Sequence, residues 1–262
     1  MKINNCKALI TGASAGIGRE FARQLASRAG SVVLVARRRE RLEQLRNELT
    51  KANPSLNVHV YDVDLADKTQ VDALIESLAH DKIDIDLLIN NAGLGDSGPF
   101  ATSDPTRIDQ IIQVNMSALT LLTRKLLPTM IARKRGAILN VSSSAGFLPI
   151  PGFAVYAATK AYVTNFSEAL RAELRDTGVS VSILCPGPVH TEFGEVAKRP
   201  GGQPEAGPEF AYVPVEQVAR DGLAAVEAAR PLVIPGFAMK LGMFLVRMMP
   251  MSILRRFSSK QR

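Results

Sequence analysis

The chain has 262 residues, of which 46% are hydrophobic and 22% charged, and its formal net charge is +7. This length and composition are ordinary for a globular protein with one large α/β domain and an ample core. Of the net charge, +6 lies in residues 231–262, which contain no Asp or Glu. Because the rest of the chain is nearly neutral, the charge distribution excludes a basic groove for nucleic acid across the fold.

Cysteine and histidine usage excludes two further classes of protein. Cys6 and Cys185 lie in apolar, strand-like segments, and the three histidines are scattered. Neither pattern fits a disulfide framework or a metal site. The N-terminal residues 1–5 lead directly into a strand, so we expect no signal peptide. These features predict a cytoplasmic protein that holds no metal.

The first motif is a glycine-rich turn. It follows the apolar strand Lys7–Thr11, contains Gly12, Gly16 and Gly18, and precedes a helix and a second strand, Ser31–Ala36. A glycine turn of this kind lets the backbone approach a pyrophosphate at a helix N-terminus. The spacing differs from the common dinucleotide fingerprint, so a turn that only packs the helix is the alternative. The strand–helix–strand context favours nucleotide binding.

The end of the second strand indicates which nucleotide is bound. NAD sites usually have an acidic residue about 20 residues after the glycines, for the ribose 2′-hydroxyl. Here Ala36 is followed by Arg37, Arg38 and Arg39. Guanidinium groups favour a 2′-phosphate, so we predict NADP(H), with Arg37 as the best candidate for the phosphate. Alternatively, these arginines only begin a solvated helix, Arg39–Ala52.

Strands and helices alternate through the middle of the chain. The pattern predicts strands at 58–60, 85–89 and 136–142, and helices at 68–79 and 105–134. Asp64, after the third strand, either contacts the adenine or opens a turn. Asn90 and Asn91, after the fourth, either supply side-chain hydrogen bonds to nearby backbone or form a turn. Asn115 lies within an apolar helical run, so its amide is either a packing hydrogen bond or part of a site.

A tyrosine and a lysine lie four residues apart in a predicted helix, residues 153–176. This spacing places Tyr156 and Lys160 on one helix face. An adjacent ammonium group is expected to lower the pKa of the phenol. Such a tyrosine can donate or accept a proton at an alcohol or carbonyl oxygen. The pair alone is a weak signal, and the alternative is a solvated lysine beside a half-buried ring.

The C-terminal third contains a strand, Val179–Leu184, a helix at 215–229 and a short strand at 232–234. Between them, residues 190–214 are rich in Gly and Pro and have few helical signals. This composition predicts a mobile loop over a site.

The end of the chain, residues 236–262, is predicted to be a basic amphipathic extension of a catalytic domain formed by residues 1–235. Its apolar residues recur at three- and four-residue steps, as in one face of a helix: Phe237, Leu241, Phe244, Leu245 and Met248. Pro250 is expected to end that helix. The apolar face packs on the body or on another subunit, or it contacts an anionic membrane surface.

In combination these motifs resemble the short-chain dehydrogenase/reductase family over about residues 5–235. The resemblance implies a single Rossmann-type α/β fold, with a doubly wound parallel sheet of seven strands in the order 3-2-1-4-5-6-7. It implies a catalytic tetrad of Asn115, Ser143, Tyr156 and Lys160, where Ser143 precedes the tyrosine by the usual 13 residues. The cofactor contacts that it implies are Gly12, Ser14, Gly16, Ile17, Gly18, Arg37, Arg38, Asp64, Leu65, Asn91, Ala92, Gly93, Tyr156, Lys160, Pro186, Gly187, Val189 and Thr191.

The function that the resemblance implies is an NADPH-dependent carbonyl reductase, or the reverse alcohol dehydrogenase. Tyr156 is expected to be the general acid, Ser143 to hydrogen-bond the carbonyl oxygen, Lys160 to lower the pKa of the tyrosine and hold the ribose, and Asn115 to position a water. Phe147, Phe153 and Phe193 suggest an apolar ketone, aldehyde or secondary alcohol as substrate. Family members often form homodimers or homotetramers. The alternative function is a nucleotide sensor or scaffold that has lost catalysis.

Overall fold

The predicted strands assemble into one parallel sheet. The computed structural model describes residues 1–199, 209–250 and 252. The strands are β1 (Lys7–Thr11), β2 (Ser31–Ala36), β3 (Asn57–Asp62), β4 (Leu87–Asn90), β5 (Gly136–Val141), β6 (Val179–Leu184) and β7 (Leu232–Val233). They run in the order β3-β2-β1-β4-β5-β6-β7, and all neighbouring pairs are parallel. The predicted doubly wound sheet is therefore confirmed.

Helices cover both faces of the sheet. They are α1 (Gly16–Leu25), α2 (Arg39–Ala52), α3 (Lys68–His80), α4 (Pro105–Ile112), α5 (Leu119–Ala132), α6 (Ala154–Glu173), α7 (Phe193–Ala197), α8 (Val215–Glu227) and α9 (Phe237–Met248). Along β1 and β2, Ile10 and Leu34 pack toward α1, α2 and α8, whereas Leu9 and Val33 pack toward α3 to α6. Because successive strand residues face opposite sides, a strand buried on both faces needs a continuous apolar run.

Two elements differ from the predictions. The long helix predicted for 105–134 is interrupted by a π-helical turn, Gln113–Ala118, between α4 and α5. Such turns are common at functional sites, and this one contains Asn115. The second difference is α7, which lies in a segment predicted to be a loop without helix. A 3₁₀ turn, Glu209–Ala211, lies in the same segment, and residues 200–208 are outside the described part of the chain.

Side-chain hydrogen bonds join the ends of β1 and β4. The Thr11 hydroxyl accepts from the backbone N–H groups of Asn91 and Ala92, both at 3.0 Å. In return, Asn91 Nδ2 donates to the Thr11 carbonyl at 2.9 Å. Asn90 Nδ2 donates to Asn140 Oδ1 at 2.9 Å, which links β4 to β5. Both asparagines thus supply hydrogen bonds at the strand ends, and we name the Thr11, Asn91 and Ala92 contacts the β1–β4 joint.

Gly18 packs the first turn of α1 against this joint. A Cβ atom at position 18 would lie 2.3 Å from the Gly12 carbonyl oxygen and 2.5 Å from Asn91 Nδ2. Both distances are far below van der Waals contact. A glycine is therefore required here for helix packing.

This contact predicts a large difference between two glycine-to-alanine substitutions in helices. Gly18→Ala should lower the free energy of unfolding by about 1–3 kcal/mol, the usual cost of overpacking. Gly194→Ala in α7 is the matched control, because a Cβ there meets nothing within 4 Å. Urea unfolding of both variants measures the difference, and equal stability would contradict the packing role of Gly18.

Candidate active site

A cavity of about 650 Å³ opens at the carboxyl ends of the strands. Eighteen of the residues predicted from sequence line it: Gly12, Ser14, Gly16, Ile17, Arg37, Arg38, Asp64, Leu65, Asn91, Ala92, Gly93, Ser143, Tyr156, Lys160, Pro186, Gly187, Val189 and Thr191. Two predicted residues, Gly18 and Asn115, are buried beside the cavity and do not line it. The structure therefore brings together residues that are separated by up to 179 positions in the chain.

One end of the cavity can hold a phosphate. Ala15 precedes α1 without a side-chain cap, and the first turn of α1 contains no acidic residue. The first N–H groups of the helix are therefore available to an anion, which the helix dipole also favours. Gly12 has a φ of +68°, a conformation that favours glycine, and this turns the chain from β1 into the cavity wall. These features fit the pyrophosphate of a dinucleotide.

The arginines after β2 divide into two groups. Arg38 Nη2 lies 3.2 Å from the Ser14 hydroxyl, and Arg37 Nη1 lies 4.0 Å from an Asp64 carboxylate oxygen. Both arginines line the cavity, whereas Arg39 binds Asp62 at 2.6 Å and does not. Asp64 also accepts a hydrogen bond from the Ala66 N–H at 3.0 Å, so it both opens a turn and lines the cavity.

Ser143, Tyr156 and Lys160 meet at the other end of the cavity. Of three consecutive serines, Ser142 uses its hydroxyl to donate a hydrogen bond to the Lys160 carbonyl at 2.8 Å. Ser143 begins a 3₁₀ turn, where its Oγ accepts from the Ala145 N–H at 3.1 Å. The hydroxyl hydrogen of Ser143 can therefore be directed toward Tyr156.

Burial controls the protonation of this cluster. It raises the pKa of Tyr156 to about 12, and a hydrogen bond from Ser143 opposes the rise. It lowers the pKa of Lys160 to about 8. The Lys160 ammonium lies 5.7 Å from the centre of the tyrosine ring and donates to the Val141 carbonyl at 2.9 Å. The pKa of Tyr156 is therefore raised, not lowered as expected, and desolvation is the largest cause. Tyr156 is protonated at neutral pH.

The Asn115 side chain makes hydrogen bonds to neighbouring groups through both its oxygen and its nitrogen. Its Oδ1 accepts from the Leu94 N–H at 2.8 Å, and its Nδ2 donates to the Leu94 carbonyl and the Thr159 hydroxyl, both at 3.0 Å. Leu94 follows β4 and Thr159 precedes Lys160 in α6. The amide therefore ties the cavity wall after β4 to the helix that carries the tyrosine.

Apolar residues surround Tyr156. The Phe153 and Phe193 ring centres lie 5.8 and 5.2 Å from the tyrosine ring centre. Sequence reasoning missed many further residues that line the cavity, among them Leu94, Ser97, Ile150, Glu192, Val196 and Tyr212. Most belong to irregular segments, where hydrophobic periodicity gives no signal.

The described part of the predicted loop is anchored. Arg199 binds Asp96 at 2.6 Å, and both side chains are largely buried. The Ser97 N–H donates to the Ala197 carbonyl at 2.8 Å, which joins the end of α7 to the segment after β4. In residues 190–199 the chain is therefore held over the cavity by an ion pair and backbone hydrogen bonds.

Two kinds of feature are not found among residues 1–199 and 209–250. They contain no group of three or more His, Cys, Asp or Glu side chains placed to hold a metal ion. None of their helices is both long and apolar enough to cross a bilayer.

Comparison with known proteins gives consistent similarities. A family model described as short chain dehydrogenase matches residues 7–200. The sulfoacetaldehyde reductase of Chromohalobacter salexigens is 42% identical over 200 residues, which cover 75% of this chain and 77% of that protein. An NADP-dependent 3-hydroxy acid dehydrogenase of Escherichia coli is 36% identical over 190 residues, or 72% of this chain and 75% of the relative. A solved short-chain dehydrogenase from Sphingobium yanoikuyae, in complex with NADPH, has a TM-score of 0.81 and 32% identity and covers 88% of each chain.

Proposed function

The chain belongs to the short chain dehydrogenase family of oxidoreductases, and from this membership we propose that it is an NADP(H)-dependent carbonyl reductase or alcohol dehydrogenase. The observation that carries the proposal is one cavity with Ser143, Tyr156 and Lys160 at one end and Arg37 and Arg38 at the other. The NADP-dependent relative and the NADPH complex of a similar structure support this choice of cofactor. When bound, the cofactor supplies the hydride or accepts it.

Tyr156 acts as the general acid in carbonyl reduction. Its pKa of about 12 keeps the phenol protonated at neutral pH, ready to donate to the carbonyl oxygen. The Ser143 hydroxyl donates a hydrogen bond to the same oxygen and stabilises the charge that develops there. The Lys160 ammonium then favours the phenolate that proton donation leaves. The water-positioning role of Asn115 stays a prediction, and the observed role of its amide is to hold Leu94 and Thr159.

The substrate is proposed to be an uncharged apolar ketone, aldehyde or secondary alcohol. The cavity wall near Tyr156 is formed by Leu94, Ile150, Phe153 and Phe193. Sulfoacetaldehyde, after which one relative is named, carries a sulfonate, and a buried sulfonate needs a cationic partner. Among the described residues at this end, Lys160 is the only cation, and it is bound to the Val141 carbonyl.

The alternative function, a nucleotide sensor without catalysis, has less support. A sensor needs the glycine turn and the arginines. It does not need a serine, a tyrosine and a lysine placed together in the same cavity. The geometry of Ser143, Tyr156 and Lys160 therefore favours an enzyme.

We predict that Tyr156→Phe still binds NADPH but turns over roughly 10²–10⁴-fold more slowly. This factor is the usual contribution of general acid catalysis. NADPH oxidation over a panel of ketones and aldehydes measures activity, and calorimetry measures binding. Tyr162→Phe is the matched control, because Tyr162 lies in the same helix and its hydroxyl binds Thr120 at 2.8 Å, outside the cavity lining. Wild-type turnover in Tyr156→Phe would remove this tyrosine from the mechanism.

We predict that Arg37→Ala and Arg38→Ala each weaken NADPH binding far more than NADH binding. A charge-assisted hydrogen bond contributes roughly 1.5–3 kcal/mol, which corresponds to at least tenfold in the dissociation constant. Arg39→Ala is the control, because Arg39 binds Asp62 and does not line the cavity. If each substitution weakened NADPH and NADH binding by the same factor, the assignment of these arginines to the 2′-phosphate would be contradicted.

Assembly and location are also proposed. We propose a homodimer or homotetramer, and Ile112 and Ile131 at the ends of α4 and α5 are exposed apolar residues that support a subunit contact. The cytoplasmic location and the division into residues 1–235 and 236–262 stay predictions.

Helix α9 has one buried and one exposed apolar face. Met243 is buried on the body, and the five residues predicted to form the apolar face are all exposed, from 49% for Leu241 to 83% for Phe237. The predicted apolar face therefore does not pack on the body of this chain, and contact with another subunit stays an alternative. Residues 231–262 contain six basic residues and no acidic ones, although Arg255, Arg256, Lys260 and Arg262 lie outside the described residues. We propose that the exposed face makes peripheral contact with an anionic membrane.

We predict that the full chain binds vesicles that contain phosphatidylglycerol, and that binding weakens at high salt. Replacing both Phe237 and Phe244 by serine should abolish binding, whereas Phe100→Ser should not. Phe100 is 62% exposed on another part of the surface and serves as the control. Cosedimentation measures binding. Loss of self-association in the double variant, without any vesicle binding by the wild type, would assign this face to a second copy instead.

A further inference from the structure

One carboxylate bridges two of the arginines that follow β2. Arg38 Nη1 donates to Glu192 Oε2 at 2.8 Å, and Arg41 Nη1 donates to the other oxygen, Oε1. Glu192 lies between Thr191 and the first residue of α7, more than 150 positions later in the chain. The bridge therefore joins the segment after β6 to the corner between β2 and α2. We name these contacts the Glu192 bridge.

The bridge lies at the end of the cavity assigned to the 2′-phosphate. The remaining nitrogens of Arg38, Nε and Nη2, face the Ser14 hydroxyl in the glycine-rich turn at 3.4 and 3.2 Å. Arg38 and Glu192 both line the cavity. The hydrogen bonds of Arg38 and Arg41 hold the pKa of Glu192 below its usual range, so this side chain is an anion at neutral pH.

We propose that Glu192 limits the preference for NADPH, because its carboxylate competes with the cofactor 2′-phosphate for Arg38, which lines the cavity. The inference rests on the proposed function and extends it to a residue outside the predicted set. Guanidinium groups bind carboxylate and phosphate oxygens in the same way, so the two anions compete for the same donors. NADH has no 2′-phosphate and leaves the bridge intact. The cost of displacing Glu192 therefore falls on NADPH alone.

The exposure of the bridge makes displacement feasible. The side chains of Arg38, Arg41 and Glu192 are 43%, 43% and 46% exposed. Ion pairs with this exposure contribute little to stability, since water and salt screen them. A phosphate offers three strong acceptor oxygens in place of two carboxylate oxygens.

Displacement has a consequence at the catalytic end. Glu192 directly precedes Phe193, whose ring packs 5.2 Å from the Tyr156 ring. When the 2′-phosphate takes Arg38, the start of α7 loses one of its two side-chain contacts with the β2–α2 corner. Phosphate recognition at one end of the cavity thereby removes one of the contacts that hold the segment packed on the tyrosine at the other end.

Glu192→Gln tests the inference, because glutamine keeps the shape and removes the charge. Calorimetry is performed with NADPH and NADH and with two fragments, 2′,5′-ADP and 5′-ADP, that do not react. We expect the dissociation constants of NADPH and 2′,5′-ADP to fall by about three- to fivefold, the upper range of what an exposed ion pair contributes, because the 2′-phosphate no longer has to displace the carboxylate. Those of NADH and 5′-ADP should stay within about twofold, since neither carries a 2′-phosphate to bind Arg38.

Glu195→Gln is the matched control. Glu195 lies one helical turn away in α7 and contacts only Lys198, at 3.9 Å, among the ion pairs of the described residues. It should leave all four dissociation constants unchanged. Thermal unfolding without ligand verifies that both variants fold.

The outcomes separate this inference from the proposed function. Weaker binding of NADPH by Glu192→Gln would mean that Glu192 positions Arg38, and equal tightening of all four ligands would mean a nonspecific charge effect. Either result overturns the competition, as does no change. If wild-type protein binds NADPH and NADH equally and Arg38→Ala changes neither, the NADPH assignment itself fails.

Discussion

The β1–β4 joint is the constraint on which the site depends. The chain builds β1, β2 and β3 toward one edge of the sheet and β4 to β7 toward the other, so the loops after β1 and β4 diverge from adjacent strands. A crevice forms where the strand order reverses in this way. Thr11 fixes its floor with three hydrogen bonds to Asn91 and Ala92. The first half of the sheet then supplies the glycine turn and the arginines, and the second half supplies the serine, the tyrosine and the lysine.

Local apolar patterns predicted the strands, whereas the resemblance to the short-chain dehydrogenase/reductase family predicted the strand order and half of the residues that line the cavity. Strands such as Val179–Leu184 are short apolar runs, and the site residues follow the strands in chain order. The π turn at Asn115 left no sequence signal, because the run around it has ordinary helical periodicity. Glu192 was also missed, since its two partners lie in a different part of the chain. The pKa of Tyr156 was predicted in the wrong direction because burial, which only the fold determines, raises it.

Buried polar groups near Tyr156 are matched with partners, which fix the positions of the side chains at the catalytic end. Ser142 binds the Lys160 carbonyl, Asn115 binds Leu94 and Thr159, and the Lys160 ammonium binds the Val141 carbonyl. Unpaired groups of this kind would be costly in an apolar wall. The arginine end, in contrast, is exposed and its ion pairs are exchangeable. The cavity therefore combines a fixed end for proton transfer with an adaptable end for recognising an anion.

The buried Lys160 also makes the stability of the fold depend on pH. Its pKa in the folded chain is about 8, below the ordinary value of 10.5 that applies when the chain is unfolded. Between these pH values the unfolded chain binds a proton that the folded chain does not. The free energy of unfolding contributed by this group therefore rises with pH across that window, and below pH 8 the fold carries the full penalty of a desolvated ammonium. Enzymes often accept such a trade between activity and stability. Here the Lys160 ammonium, which favours the phenolate, stays charged at neutral pH because the remaining interactions of the core offset the free-energy cost of burying it.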